Sequence, residues 1–179
     1  MEAKILRESA AEVESESLVV DLRRIEKLAQ ENHKQNQEFL QSLKALDSLR
    51  LDRMVSEISA EVSAQINCEK CANCCRSLTV AIDYQDISAL AEGLELSPRE
   101  FREKYMKKDH EGDVVFKQRP CPMLKNNSCS VYACRPKVCR RYPYLDQKDF
   151  LSRIGNVLSN MSVCPIVFNT VELLKLKMS

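Results

Sequence analysis

Four of the nine cysteines occupy eight positions, CEKCANCC at residues 68–75, and the last two, Cys74 and Cys75, are adjacent. A Cys-x-x-Cys step lets two sulfurs converge on one ion, because the turn between them reverses the chain. Cys68, Cys71 and Cys74 make two such steps in succession. Three thiolates from one turn plus a remote fourth suit tetrahedral zinc, and equally the corners of a [4Fe–4S] cluster. Cys75 constrains the choice. Side chains of neighbouring residues tend to point apart, so Cys74 and Cys75 belong to different sites, or to two sides of one polynuclear site. A single mononuclear ion leaves the pair unexplained.

The remaining thiols are Cys121, Cys129, Cys134, Cys139 and Cys164. The tandem step resembles the C-x2-C-x2-C run of bacterial ferredoxins, whose fourth ligand precedes a proline. Cys121-Pro122 and Cys164-Pro165 both fit that description, and the sequence leaves the choice between them open. The stretch CPMLKNNSCSVYACRPKVCRRYP, residues 121–143, presents sulfurs from proline-punctuated loops. Loop ligands suit a metal site, because the ion orders a segment that has no core of its own. Residues 114–145 contain no acid and seven bases: Lys117, Arg119, Lys125, Arg135, Lys137, Arg140 and Arg141. Eight thiolates with two Zn²⁺ would move the formal charge from +1 to about −3, and a basic window offsets that field and lowers thiol pKa values. Arg140 and Arg141 follow Cys139 directly. Tyr132, Tyr142 and Tyr144 among these bases also match a single-strand nucleic-acid binder. Overall charge is near neutral and finger spacing ending in two histidines is absent, so nucleic acid is the weaker reading. His33 and His110, the two histidines, lie in a helical stretch and a charged loop and are poor ligand candidates.

The thiols need elements to carry them. All nine fall in residues 68–164, while residues 1–67 lack Cys, Gly and Pro and read as nearly uninterrupted helix, with a break expected at NHKQNQ, residues 32–37. Stripes at Leu18, Leu22, Ile25, Leu28/Ala29 and at Met54/Val55, Ile58, Val62, Ile66 each share one helix face, and Phe39, Leu43 and Leu46 lie between them. No heptad is sustained, which favours a helical hairpin folded onto its own domain over a coiled-coil or partner-docking arm. LTVAI (78–82) and DVVFK (113–117) read as short strands. A helix opens at Asp83 or Tyr84 and ends at Gly93. SPRE (97–100) is a capping box for a helix to about Lys107. Residues 118–145, with four of the six prolines, read as irregular loop, and helices are expected over 147–160 and 166–177. The fold class is therefore mainly α with a few short strands: a helical arm or hairpin over 1–64, then a small cysteine-rich domain with loop ligands over 65–179.

At 179 residues the chain is one domain, or a domain with an extension, and no run of about eighteen apolar residues offers a membrane span. Its charged N-terminus, MEAKILRESAAEVESES, lacks the apolar stretch of a secretory signal, so a cytoplasmic location is expected. The cytosol keeps thiols reduced, and an odd number of cysteines would leave one unpaired in a full disulfide set; metal ligation is the stronger reading. Residues 1–67 carry a net charge of −4 and the rest +5.

The pattern CEKCANCC, Cys121-Pro122, CSVYACRPKVCRRYP and Cys164 resembles the YkgJ-type cysteine-cluster proteins, whose signature is CxxCxxCC and whose domain is described as zinc- or iron-chelating. The resemblance spans about residues 65–168. It implies eight metal ligands: Cys68, Cys71, Cys74, Cys75, Cys121, Cys129, Cys139 and Cys164. Cys134 falls where that family varies and is left as an extra thiol. Two four-cysteine sites, or one polynuclear site, follow from that set, with zinc or iron as the metal and [4Fe–4S] as one form. A similar cluster occurs in bacterial flagellin lysine N-methylases, which raises an iron–sulfur enzyme as an alternative. The residues offer little for it: there is no glycine-rich nucleotide loop, no C-x3-C-x2-C radical spacing and no Ser-His-Asp set. Asp83 and Asp86 are acid/base candidates, although helix capping accounts for them better. A third reading is a scaffold whose N-terminal helices recruit an unknown protein partner or a second copy of the chain.

Overall fold

Aspartate, asparagine and serine side chains set where the helices begin. In the computed structural model, which describes residues 18–178, Asp21 accepts the Arg24 N–H at the start of α1 (Leu22–Glu31). Asn32 interrupts the chain for one residue before α2 (His33–Ser42), so the break expected over 32–37 is confined to its first position. A 3-10 turn at Leu43–Ala45 makes a second break, and Asp47 caps α3 (Ser48–Gln65). The part of the expected arm before Leu18 lies outside the described residues.

The two cysteine-bearing helices α4 (Cys68–Cys71) and α5 (Asn73–Ser77) follow at once. LTVAI is not a strand, contrary to its β-branched composition. Only Ala81 bridges Val115 and only Ile82 donates to Val114 O, because α5 ends at Ser77 and the cap of α6 begins at Asp83. Next come α6 (Tyr84–Gly93), capped by Asp83, and α7 (Pro98–Tyr105), with both halves of the Ser97/Glu100 capping box formed. α7 stops two residues short of expectation because β1 (Met106–Lys108) pairs antiparallel with β2 (Val114–Phe116), Met106 opposite Phe116. The proline-rich stretch holds more order than its composition suggests. Asn126 and Asn127, both left-handed, turn a hairpin between β3 (Leu124–Lys125) and β4 (Ser128–Cys129), and a 3-10 turn at Tyr132–Cys134 leads to α8 (Lys137–Arg141). A 3-10 turn at Phe150–Arg153 runs into α9 (Ile154–Asn160), and α10 (Pro165–Met178) completes the described chain. The fold is mainly α, with two small two-stranded sheets.

Two apolar cores result. The first takes Ile25, Leu40, Leu51, Val55, Ile58 and Val62 from the N-terminal helices together with Ile154, Val167, Val171 and Leu174 from the C-terminal ones, and α3 lies along α10. The stripes read from the sequence are thus largely buried against residues 150–174, but Leu46, expected to extend them, is exposed. Asn169 fastens the start of the described chain as well, accepting the Val19 N–H and donating to Val19 O. The second core gathers Ile87, Leu90 and Phe101 of α6 and α7 with Phe116, Met123 and Val131. Cys164 belongs to the first core, whereas Cys121, Cys129 and Cys134 pack against the second. The thiol-bearing segments therefore join the two. Among the described residues no single helix is long and apolar enough to cross a membrane.

Candidate metal centre

CEKCANCC forms two one-turn helices rather than one. Asn67 caps α4 by accepting the Lys70 N–H, and Ala72, left-handed at φ 47°, separates α4 from α5. That kink puts Cys68 and Cys71 on one turn and Cys74 and Cys75 on the next. The turns are tied down from outside: Arg76 donates to Cys71 O at 2.8 Å and to Asn127 of the β3–β4 turn, and Asn127 Nδ2 donates to Lys70 O. Asn73 Nδ2 reaches Val163 O at 2.7 Å, fixing α5 to the residue before Cys164.

The remote cysteines arrive from four directions. Cys121 donates its backbone N–H to Cys75 O at 2.8 Å. Cys129 closes the Asn126-Asn127 hairpin, Cys139 sits inside α8, and the buried Cys164 directly precedes α10. Cys68, Cys74, Cys75, Cys121, Cys129 and Cys139 line one cavity of about 270 Å³, whose other lining is mainly apolar but includes Glu69, Thr79, Gln118, Arg135 and Arg140.

Mutual charge sorts the thiols into two groups. Cys75 is common to the first: its charge acts on Cys121, Cys129 and Cys139 and helps hold each thiol above its ordinary value. Burial is the larger cause in all three, pushing Cys121 up to about 11 and Cys139 up to about 12. In the second, Cys68 feels Cys71, Cys164 feels Cys68, and Cys74 feels Cys164, although Cys74 also feels Cys139 of the first group. Burial raises Cys164 to about 11, opposed by the Val167 and Ile166 N–H groups that point at its sulfur. The groups abut where Cys74 and Cys75 touch. The Cys74 thiol donates to the Cys75 sulfur, which draws Cys75 down to about 7 and pushes Cys74 up. One cation serves both groups: Arg135 lowers Cys68, Cys75, Cys129 and Cys139, while its guanidinium stacks 4.0 Å from the Tyr132 ring centroid.

The donor set fits a thiophilic cation. Soft thiolates in fours are what zinc and iron take, and a dication reverses the mutual repulsion that raises these pKa values. The sulfurs ring the cavity loosely. Among the described residues, the ligand atoms within 4.8 Å of one another in a set of three are those of Asp109, Glu111 and Asp113, not thiols. Zn–S bonds of about 2.3 Å would require sulfurs about 3.8 Å apart, so binding draws the side chains inward.

Other candidates found different places. The Cys134 sulfur lies against the Cα of Gly93, where a Cβ would collide with it. Asp83 caps α6, but Asp86 does more than an N-terminal acid: its carboxylate, 5% exposed, accepts the Lys137 N–H across the chain. The basic window is largely tied up. Arg119 donates to Ser77 O, Arg140 to Arg135 O and Lys117 to Glu103 O, fastening loops. Sequence reasoning took Tyr142 only as one of three tyrosines among the bases; its half-buried side chain donates from the hydroxyl to Asn160 Oδ1 at 2.9 Å and meets Cys164. Burial and the Cys164 charge raise its pKa. Tyr142-Pro143 in the primary structure gives no hint of that contact.

No curated protein and no solved structure matches the chain. A family model, CxxCxxCC, described as a putative zinc- or iron-chelating domain, matches residues 67–164, which spans every cysteine. The chain belongs to the CxxCxxCC family.

Proposed function

We propose that the chain binds two zinc or iron ions in two tetrathiolate centres that share a wall. Cys75, Cys121, Cys129 and Cys139 hold one ion, and Cys68, Cys71, Cys74 and Cys164 hold the other. One observation carries this reading: the adjacent Cys74 and Cys75 are tied to different segments, Cys75 through its carbonyl to the Cys121 N–H at 2.8 Å, and the turn that bears Cys74 through Asn73 Nδ2 to Val163 O at 2.7 Å, beside Cys164. It favours Cys164 as the remote ligand of the tandem CxxC, since that thiol is coupled to Cys68 and Cys74. The centres serve structure at minimum. The proline-rich segment buries Met123 and Val131 in the second core and Leu145 in the first, and ions holding Cys164 on one core and Cys121 and Cys129 on the other would clamp the cores together.

The test is metal content of single serine variants. Cys74→Ser and Cys75→Ser should each retain one ion of two, and the double variant none. Cys134→Ser should retain both. Full metal content in Cys75→Ser, or loss of both ions from either single variant, contradicts the division.

A further inference from the structure

We propose that Asp86 is the positioning residue of the Cys75/Cys121/Cys129/Cys139 centre: a buried carboxylate on α6 that fixes the segment Arg135–Arg140, and with it both Cys139 and the Arg135 guanidinium. The proposal rests on the two-centre reading above. Asp86 is 5% exposed and has no role in its own helix beyond the N–H that Asp83 accepts. Its side chain is aimed fifty-one residues down the chain. Oδ2 accepts the Lys137 N–H at 2.9 Å, the first helical N–H of α8, and Oδ1 faces Arg140 Nη2 at 3.9 Å. Arg140 in turn donates from Nη1 to Arg135 O at 2.6 Å. One carboxylate thus holds the start of α8 and, through the Arg140 fork, the residue just before Pro136.

Two consequences converge on the thiols. Cys139 lies two residues after the capped N–H, and its own N–H goes to Pro136 O at 3.0 Å, so its sulfur is aimed by a one-turn helix that cannot hold itself. Arg135 and Pro136 line the same cavity as Cys75, Cys129 and Cys139, and Arg140 holds that stretch through the Arg135 carbonyl. An α8 of five residues packs Val138 against the second core and accepts the Tyr144 hydroxyl at Val138 O at 2.9 Å, while at its first turn the carboxylate joins the buried Pro136 as the anchor. Lys137 Nζ adds Gln85 Oε1 at 3.0 Å and Asp83 Oδ2 at 3.9 Å from the same turn of α6, but both of those contacts are solvent-exposed. Partners of this kind, behind the ligands, govern metal retention: removing one typically costs 10- to 100-fold in affinity.

The experiment measures zinc release from the zinc-loaded full chain into excess chelator with a chromophoric indicator, for wild type, Asp86→Asn and Asp86→Ala. Asn keeps an oxygen for the Lys137 N–H and removes the charge facing Arg140; Ala removes both. One of the two ions should leave about 10-fold faster or more in Asp86→Asn and faster again in Asp86→Ala, the other at the wild-type rate. In a Cys139→Ser background, where that ion is already gone, Asp86→Asn should change nothing further. Asp86→Asn keeps the test open if the Ala variant does not fold. Both ions released at wild-type rates, or both accelerated alike, overturns the role of Asp86 and leaves the two-centre reading standing. A wild-type chain that retains neither zinc nor iron overturns that reading and this inference with it.

Discussion

At the scale of single residues, the account turns on protons. Burial and neighbouring thiols hold Cys68, Cys74, Cys121, Cys129, Cys139 and Cys164 above the ordinary thiol value near 9, and Cys75 alone is drawn down, to about 7. A group whose pKa is raised above 9 stays protonated at neutral pH, so an ion must expel that proton to bind. Affinity then rises with pH up to the raised values and falls as acid returns the protons. Loading two ions at pH 7.5 in weak buffer should release about seven to eight protons per chain, measured by indicator dye. Release of about four would mean that half of the set is not ligating. The adjacency of Cys74 and Cys75 was legible in the sequence as a sign of two environments. The partner of each was not, because it depends on a left-handed Ala72 and on a hairpin, an Asn73 contact and an α8 anchor that come from remote segments.

At the scale of elements, the sequence told most where local chemistry decides. Asp83, Ser97 and Glu100 form the caps that their spacing implies, and DVVFK pairs as a strand. LTVAI failed as a strand because its ends are claimed by α5 and by the α6 cap, a constraint outside the pentapeptide. The Asn126-Asn127 hairpin lies in a stretch whose prolines imply irregular loop, yet asparagine tolerates the left-handed backbone that both residues adopt there. The α4–α5 junction offers a test at this scale. Ala72 is strained by its left-handed backbone and is buried, so Ala72→Gly should hold metal and gain a few tenths to about 1 kcal/mol in urea denaturation. Ala72→Val, β-branched at positive φ, should lose stability and weaken the centre that contains Cys68, Cys71 and Cys74. An Ala72→Val protein as stable and metal-rich as wild type would remove the junction from the account.

At the scale of the whole molecule, the helices before residue 67 and those after 150 share one core, and the cysteine segments connect it to a second. Periodicity showed that residues 22–65 are helical and which faces are apolar. It could not show that those faces meet Val167, Val171 and Leu174, because nothing local specifies a partner more than a hundred residues away. The metal class came from cysteine spacing, and the family match over residues 67–164 agrees with it. The most direct measurement of the central claim is metal content with an absorption spectrum, on protein purified strictly without oxygen. Two tetrathiolate centres predict two ions per chain: zinc with no colour, or iron without acid-labile sulfide. Four irons with labile sulfide and a brown spectrum that bleaches on reduction would contradict the account, and would replace two separate ions by one polynuclear cluster.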